Sequence, residues 1–135
     1  MEDKERQLLK EFQISWSKKK YWVMSRSQQA YNQIRFLAKG NEWSSEKQKQ
    51  YEKILIDLEQ IKPTDRTLRV AYQHVWGYFK KVATEVEKQR YIKLIDEIPL
   101  DSHQLEDFLK ALSLKYNQAY LLQMKWILVD EIETK

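Results

Sequence analysis

The chain has 135 residues, the size of one domain with its own core, and only two glycines, two prolines and no low-complexity stretch, which argues against disorder and against a turn-rich all-β fold. It has no cysteine, which removes disulfides, thiolate metal sites, a cysteine nucleophile and any iron–sulfur cluster bound by this chain's own cysteines, and fits the cytoplasm. Lys and Arg exceed Asp and Glu by 24 to 20, a mild basic bias that suits nucleic acid or anionic lipid and equally an ordinary solvated surface.

The opening MEDKERQLLKEF is charged and lacks the apolar region of a signal peptide. The longest apolar run, Ala119–Val129, is interrupted by Gln123 and Lys125 and is too short to span a bilayer, so a soluble protein without a membrane segment is expected.

Helical periodicity runs through the whole sequence, with no linker and no internal repeat. A first helix is predicted from Asp3 to Met24, with Leu8, Leu9, Phe12, Trp16 and Val23 near one face. Ser25-Arg26-Ser27 breaks it, and Ser27 caps a second helix that reaches about Lys39 and ends at Gly40-Asn41. Ser45 with Gln48 reads as a capping box for a third helix to about Gln60, whose inner stripe is Tyr51, Ile54, Leu55 and Leu58. After Pro63, Thr64 or Asp65 caps a fourth helix to about Val82. Thr84 with Glu87 is a capping box for a fifth, to about Glu97, with Tyr91, Leu94, Ile95 and Ile98 inward and Pro99 as its stop. Asp101 or Ser102 caps a sixth, carrying Leu105, Phe108, Leu109 and Leu112, and Asn117 to about Val129 forms a last helix, separate or continuous. The expected fold is all-α: one compact bundle of six to seven helices over residues 1–135, with the Thr64–Val82 helix central.

That fourth helix carries the most unusual residues. At 100° per residue, Leu68, Ala71, Tyr72, Val75, Trp76, Phe79 and Val82 fall within roughly 140° of arc and form a core face. Arg69, Gln73 and Lys80 line one flank; His74, Tyr78 and Lys81 line the other. Gly77 projects almost opposite the core face, where a helical glycine costs about 1 kcal/mol relative to alanine. Two readings stand: a neighbouring helix approaches its backbone, or a ligand does. His74 then lies at the edge of a buried zone, either as a hydrogen-bonded core histidine or as a proton shuttle or base-reading group. No metal site is expected: His103 is remote, no HExxH occurs, and neither histidine has a Glu three positions earlier. The two glycines stand 37 positions apart, so no phosphate-cradling glycine loop exists.

A second constellation lies at Lys18-Lys19-Lys20-Tyr21-Trp22 and Ser25-Arg26-Ser27, followed by Tyr31 and Arg35. Cations interleaved with rings have the composition of a nucleic-acid face, against the alternative that the rings pack inward and the lysines are solvated. Arg26 at the start of the second helix makes a candidate anion pocket. The stretch Tyr116–Val129, apolar almost all round, is either buried centrally or a homo-oligomer surface.

Gln73-His74 with Gly77-Tyr78-Phe79-Lys80, together with Lys20-Tyr21 through Ser27, Tyr31, the Tyr51–Leu58 stripe, Pro99-Leu100 and Tyr120–Gln123, resembles the YbgA family, a group of small bacterial domains of uncharacterised function. Members of that family usually carry further histidines, where this sequence holds Lys19, Arg26 and Leu68. The resemblance implies an accessory module, often fused to a cysteine-rich iron–sulfur domain that includes thiouracil desulfurases. A cysteine-rich desulfurase-like partner follows as an expectation; desulfuration itself does not, because the cysteines are absent.

The expected function is a non-catalytic helical module that recognises nucleic acid, RNA above all, or a modified nucleobase, without cofactor. Its candidate ligand-binding residues are Lys20, Tyr21, Arg26, Arg35, Arg69, Gln73, His74, Gly77, Tyr78, Lys80 and Lys81. The alternatives are a small enzyme using His74 as general acid or base on a base-like ligand, and a protein-interaction scaffold.

Overall fold

The computed structural model describes residues 2–97, 100 and 102–128. Its helices are α1 (Asp3–Arg26), α2 (Gln28–Ala38), α3 (Ser45–Leu58), α4 (Asp65–Trp76), α5 (Glu85–Asp96), α6 (Ser102–Lys115) and α7 (Ala119–Gln123), and no strand occurs among the described residues. Expectations resting on Ile98, Pro99, Asp101 and Val129 lie outside the described residues.

Local signals set most of the boundaries. The Ser27 hydroxyl accepts from Ala30 N at 3.0 Å and starts α2. Gly40, at φ 80°, and Asn41, at φ 55°, take the left-handed conformations that end it. Thr84 and Glu87 form the expected reciprocal box, at 2.8 and 3.2 Å. The cap of α3 is Ser44 rather than Ser45, with its hydroxyl taking Lys47 N at 3.1 Å. Gln48 instead accepts from the Trp43 indole at 2.9 Å.

Tertiary demands override periodicity in three places. In α1, Tyr21, Trp22, Val23, Met24 and Ser25 are all buried in succession, so the end of this helix has no solvent face. Trp22 and Val23 join a core with Phe12, Ala30, Ile34, Trp43, Tyr51 and Leu58. Tyr21 and Met24 join a second core built from α4, α5, α6 and the segment after it. The helix α4 (Asp65–Trp76) is central, packed on α1 and α6. Yet α4 stops at Trp76, not at Val82. Beyond Gly77 the bonds tighten to i→i+3 spacing, with Tyr78 N on Val75 O at 3.1 Å, Phe79 N on Trp76 O at 2.8 Å and Val82 N on Phe79 O at 3.0 Å. The tighter winding keeps Phe79 fully buried but turns Val82 outward to 53% exposure, so Val82 leaves the core face assigned to it.

The third place is the stretch after α6. Asn117, at φ 52°, breaks the chain, and only Ala119–Gln123 are helical. Met124 to Leu128 run on in non-helical form, laid against the body of the protein. Leu121, Met124, Trp126, Ile127 and Leu128 are buried within this one chain. The helix expected from Asn117 to about Val129 is corrected to Ala119–Gln123 among the described residues. Of the two readings of this stretch, central burial or a surface for a second copy, the burial of Leu121, Met124, Trp126, Ile127 and Leu128 in the chain's own core follows the first.

Backbone N–H groups laid into an interior need acceptors. Lys125 N donates to Lys18 O at 2.8 Å. Ile127 N and Leu128 N donate to the two carboxylate oxygens of Glu106, at 3.2 and 3.4 Å. Glu106 is 2% exposed and also accepts from the Tyr72 hydroxyl at 2.9 Å. Lys110 Nζ stands 3.7 Å away. Burial pushes the Glu106 carboxyl pKa up, while Tyr72, Lys110 and the two N–H groups pull it part of the way back. Removing the acceptor leaves two buried N–H groups without it, so Glu106→Ala is expected to cost about 3 kcal/mol of unfolding free energy. Glu106→Gln keeps one acceptor oxygen and is expected to cost less than half as much, measured by denaturant unfolding.

Glu87 performs a parallel task at the surface, joining the start of α5 to the end of α6. Its carboxylate accepts from Lys115 Nζ at 2.6 Å and from the Tyr116 hydroxyl, besides the cap bond to Thr84 N. These donors, Lys115 first, then Tyr116 and Thr84, hold its pKa at about 2 against an ordinary 4.5. A depressed carboxyl stabilises the fold fully above its unfolded value and loses that contribution as pH falls toward the folded one. Glu87→Gln is therefore expected to lower the thermal midpoint near neutral pH, with the gap to wild type narrowing as pH falls from 4.5 toward about 2.

Candidate functional site

The two sequence constellations meet. Tyr21 on α1 and Tyr78 in the turn after α4 bring their hydroxyls within 3.3 Å, with the rings edge to face. Tyr120 of α7 stacks on Tyr78 at 6.0 Å between centroids. Tyr31 of α2 packs on both cores and lies 5.5 Å from the Trp16 ring. Burial, with the Tyr78 hydroxyl bond behind it, pushes the Tyr21 phenol far above the usual tyrosine range. Burial likewise raises Tyr120, whose hydroxyl is enclosed without a hydrogen-bond partner among the described residues. These phenols stay protonated at neutral pH, so they act as donors and as stacking surfaces, not as bases.

The candidate cations divide into two kinds. Arg26 turns inward: its guanidinium lies 4.4 Å over the Trp22 ring and donates to Ser25 Oγ at 3.1 Å and Ile127 O at 3.4 Å. With Ser27 capping α2 and Ser25 buried against Trp22 O at 2.6 Å, the anion pocket expected at Ser25-Arg26-Ser27 is already filled by internal bonds. Arg69 is likewise engaged, donating to Ile95 O at 3.1 Å and Glu97 O at 2.7 Å and closing the end of α5. Burying α4 between α1 and α6 turns this flank of the helix toward α5, which periodicity on α4 alone does not reveal.

The other cations remain outward. Lys18, Arg35, Lys80 and Lys81 are exposed, Lys19 and Lys20 half-buried, and none forms an ion pair among the described residues. Lys20 Nζ lies 6.0 Å from the Tyr21 ring, and the Arg35 guanidinium 5.9 Å from the Tyr31 ring. Gln73 and His74 are exposed on the last turn of α4. His74 thus does not sit at the edge of a buried zone, and it forms no hydrogen bond or ion pair among the described residues.

Gly77 is exposed, and among the described residues no other helix comes within 4 Å of the place its Cβ would take. A Cβ built there meets only its own chain, the His74 carbonyl oxygen at 3.1 Å. The crossing-helix reading of this glycine is corrected: its place is the end of α4, where the chain changes winding. Gly77→Ala is accordingly expected to change stability by no more than about 1 kcal/mol, since the helical entropy gain opposes the tight contact with one carbonyl. A thermal melt checks this, and a much larger loss would reveal a group packed on that face.

Sequence reasoning missed Glu106 and Tyr120. Glu106 had a signal, since it follows Leu105 and precedes Leu109 by three, inside the buried stripe of α6. Tyr120 was hidden in a run read as one helix. No group of His, Asp and Glu able to hold a metal occurs among the described residues, and no helix of the described chain is long and apolar enough to cross a membrane.

Comparison with curated proteins and with solved structures finds no match to this chain. Residues 20–128 match the family described as "Protein of unknown function (DUF1722)". The matched span runs from the lysine before Tyr21 to Leu128, taking in Tyr21, Tyr78 and Tyr120 and all of the larger core, and the chain belongs to that family.

Proposed function

We propose that this protein is a helical accessory module that binds single-stranded RNA or a modified nucleobase, through a basic surface centred on the Tyr21–Tyr78 contact. The observation that carries this reading is that contact itself. It joins Lys18, Lys19 and Lys20 on α1 to a stretch that ends in Lys80 and Lys81. Those lysines have no carboxylate partner among the described residues, so their charge is available to phosphate. Gln73 and His74, exposed one to two turns before Tyr78, add side-chain hydrogen-bonding groups that can read a base edge. Arg26 and Arg69, held by internal carbonyls, are left out of the binding set, while Arg35, over Tyr31, extends it along α2.

The resemblance to the YbgA family supports a role beside a cysteine-rich desulfurase-like partner, with this chain supplying recognition and the partner the chemistry. His74 as a general base is not favoured, since no other titratable group contacts it among the described residues.

Fluorescence anisotropy with a short labelled RNA tests the proposal. Binding is expected to weaken steeply as salt rises. Lys80→Gln with Lys81→Gln is expected to lower affinity evenly across sequences and to flatten the log–log salt slope by roughly 0.7 for each phosphate left without its lysine. No binding at low salt, or binding indifferent to the lysines, would remove this reading.

A further inference from the structure

A groove of about 810 Å³ runs between α2 and α3, away from the residues assigned to the basic surface except where Arg35 borders an adjoining recess. We propose that it is a binding site for an uncharged planar heteroaromatic ring of the nucleobase class, stacked on Phe36 and read along its edge by side-chain carboxamides.

The lining is chemically selective. Gln29, Gln33 and Phe36 follow one another at helical spacing on α2, and Gln50 faces them from α3. The carboxamides of Gln29, Gln33 and Gln50 hold no hydrogen bond among the described residues. Each therefore offers both donor and acceptor to the groove, the pairing that reads a base edge in two places at once. Phe36 is 76% exposed, an unusual position for a large ring that contributes nothing to either core. A ring standing at the edge of a groove fringed by carboxamides is a stacking platform. The charges of the lining cancel: Lys53 and Asp57 pair with each other at 3.4 Å. On a chain with net charge +4, a locally neutral groove selects an uncharged ligand rather than a phosphate. A peptide would also satisfy carboxamides. Beside Phe36 the apolar side chains of the lining are Leu37 and Ile54, both half-buried, enough to seat one ring and few for the several anchors of a peptide.

The test is a nuclear magnetic resonance titration of the full chain with adenosine, guanosine, cytidine and uridine, and with their 5′-monophosphates, following the side-chain amides of Gln29, Gln33 and Gln50. At least one nucleoside is expected to give saturable shifts of these amides. The monophosphate should bind no more tightly, and affinity should hold within about twofold as salt is raised, because no phosphate contact is involved. Phe36→Ala is expected to weaken binding by roughly tenfold and Phe36→Tyr to preserve it; the exposure of Phe36 lets both fold. Lys80→Gln with Lys81→Gln should leave the titration unchanged, so failure here and failure of the RNA surface are separate results. Absence of shifts with all four nucleosides up to their solubility, binding that survives Phe36→Ala, or binding driven by the phosphate overturns the proposal. So does a selected peptide that occupies the groove while the nucleosides do not.

Discussion

A helix that buries five consecutive side chains must be covered on every side, and Tyr21 to Ser25 impose that demand at the end of α1. An ordinary surface helix hides one stripe and leaves the rest to water. Here Trp22 and Val23 belong to the core made with α2 and α3, while Tyr21 and Met24 belong to the core made with α4 to α7. The two halves of the domain therefore share a wall, and the end of α1 contributes to both cores. That shared wall lets two cores, each modest in apolar area, pack against a common helix.

Covering the last open side falls to the segment after α7, and that choice creates a polar problem. Chain laid flat in an interior has N–H groups that no helix satisfies. The carbonyl of Lys18 and the carboxylate of Glu106 answer three of them. The Arg26 guanidinium answers the carbonyl of Ile127. A buried carboxylate is costly on its own, but one that accepts from a tyrosine and two backbone donors, with an ammonium nearby, is largely compensated. The satisfaction is not complete: the Trp22 indole nitrogen is buried without an acceptor among the described residues, while Arg26 and Lys125 lie 4.4 and 4.2 Å from its ring centroid.

The same packing sorts residues that look equivalent in the sequence. Arginines and lysines alternate with aromatics in both constellations, yet Arg26 and Arg69 close carbonyls inside the fold while Lys18 to Lys20, Lys80 and Lys81 are left for solvent or a partner. Guanidinium suits the inner role because its planar fork reaches two acceptors at once, as Arg69 does at Ile95 and Glu97. The Tyr21–Tyr78 contact then brings together two aromatic positions that lie far apart in the sequence.

The all-α class and most of the helix boundaries were legible in the residues alone, because these rest on near-neighbour chemistry. Ser27, Thr64 and Thr84 cap where hydroxyls meet the next turn's N–H groups, and Gly40 ends α2 because it tolerates a positive φ. The inner stripes of α3, α4 to Trp76, and α5 followed from a period of 3.6. Of the site, the two constellations and their outward lysines were legible as composition. The rest waited on packing between distant segments. Packing ends α4 at Gly77, folds 121–128 back instead of extending an outward helix, leaves His74 exposed, and turns Arg26 and Arg69 inward. Each of these depends on what lies across from the residue rather than along the chain from it. A one-dimensional period places a side chain on a face, but it cannot say whether water, another helix or a carbonyl lies opposite that face.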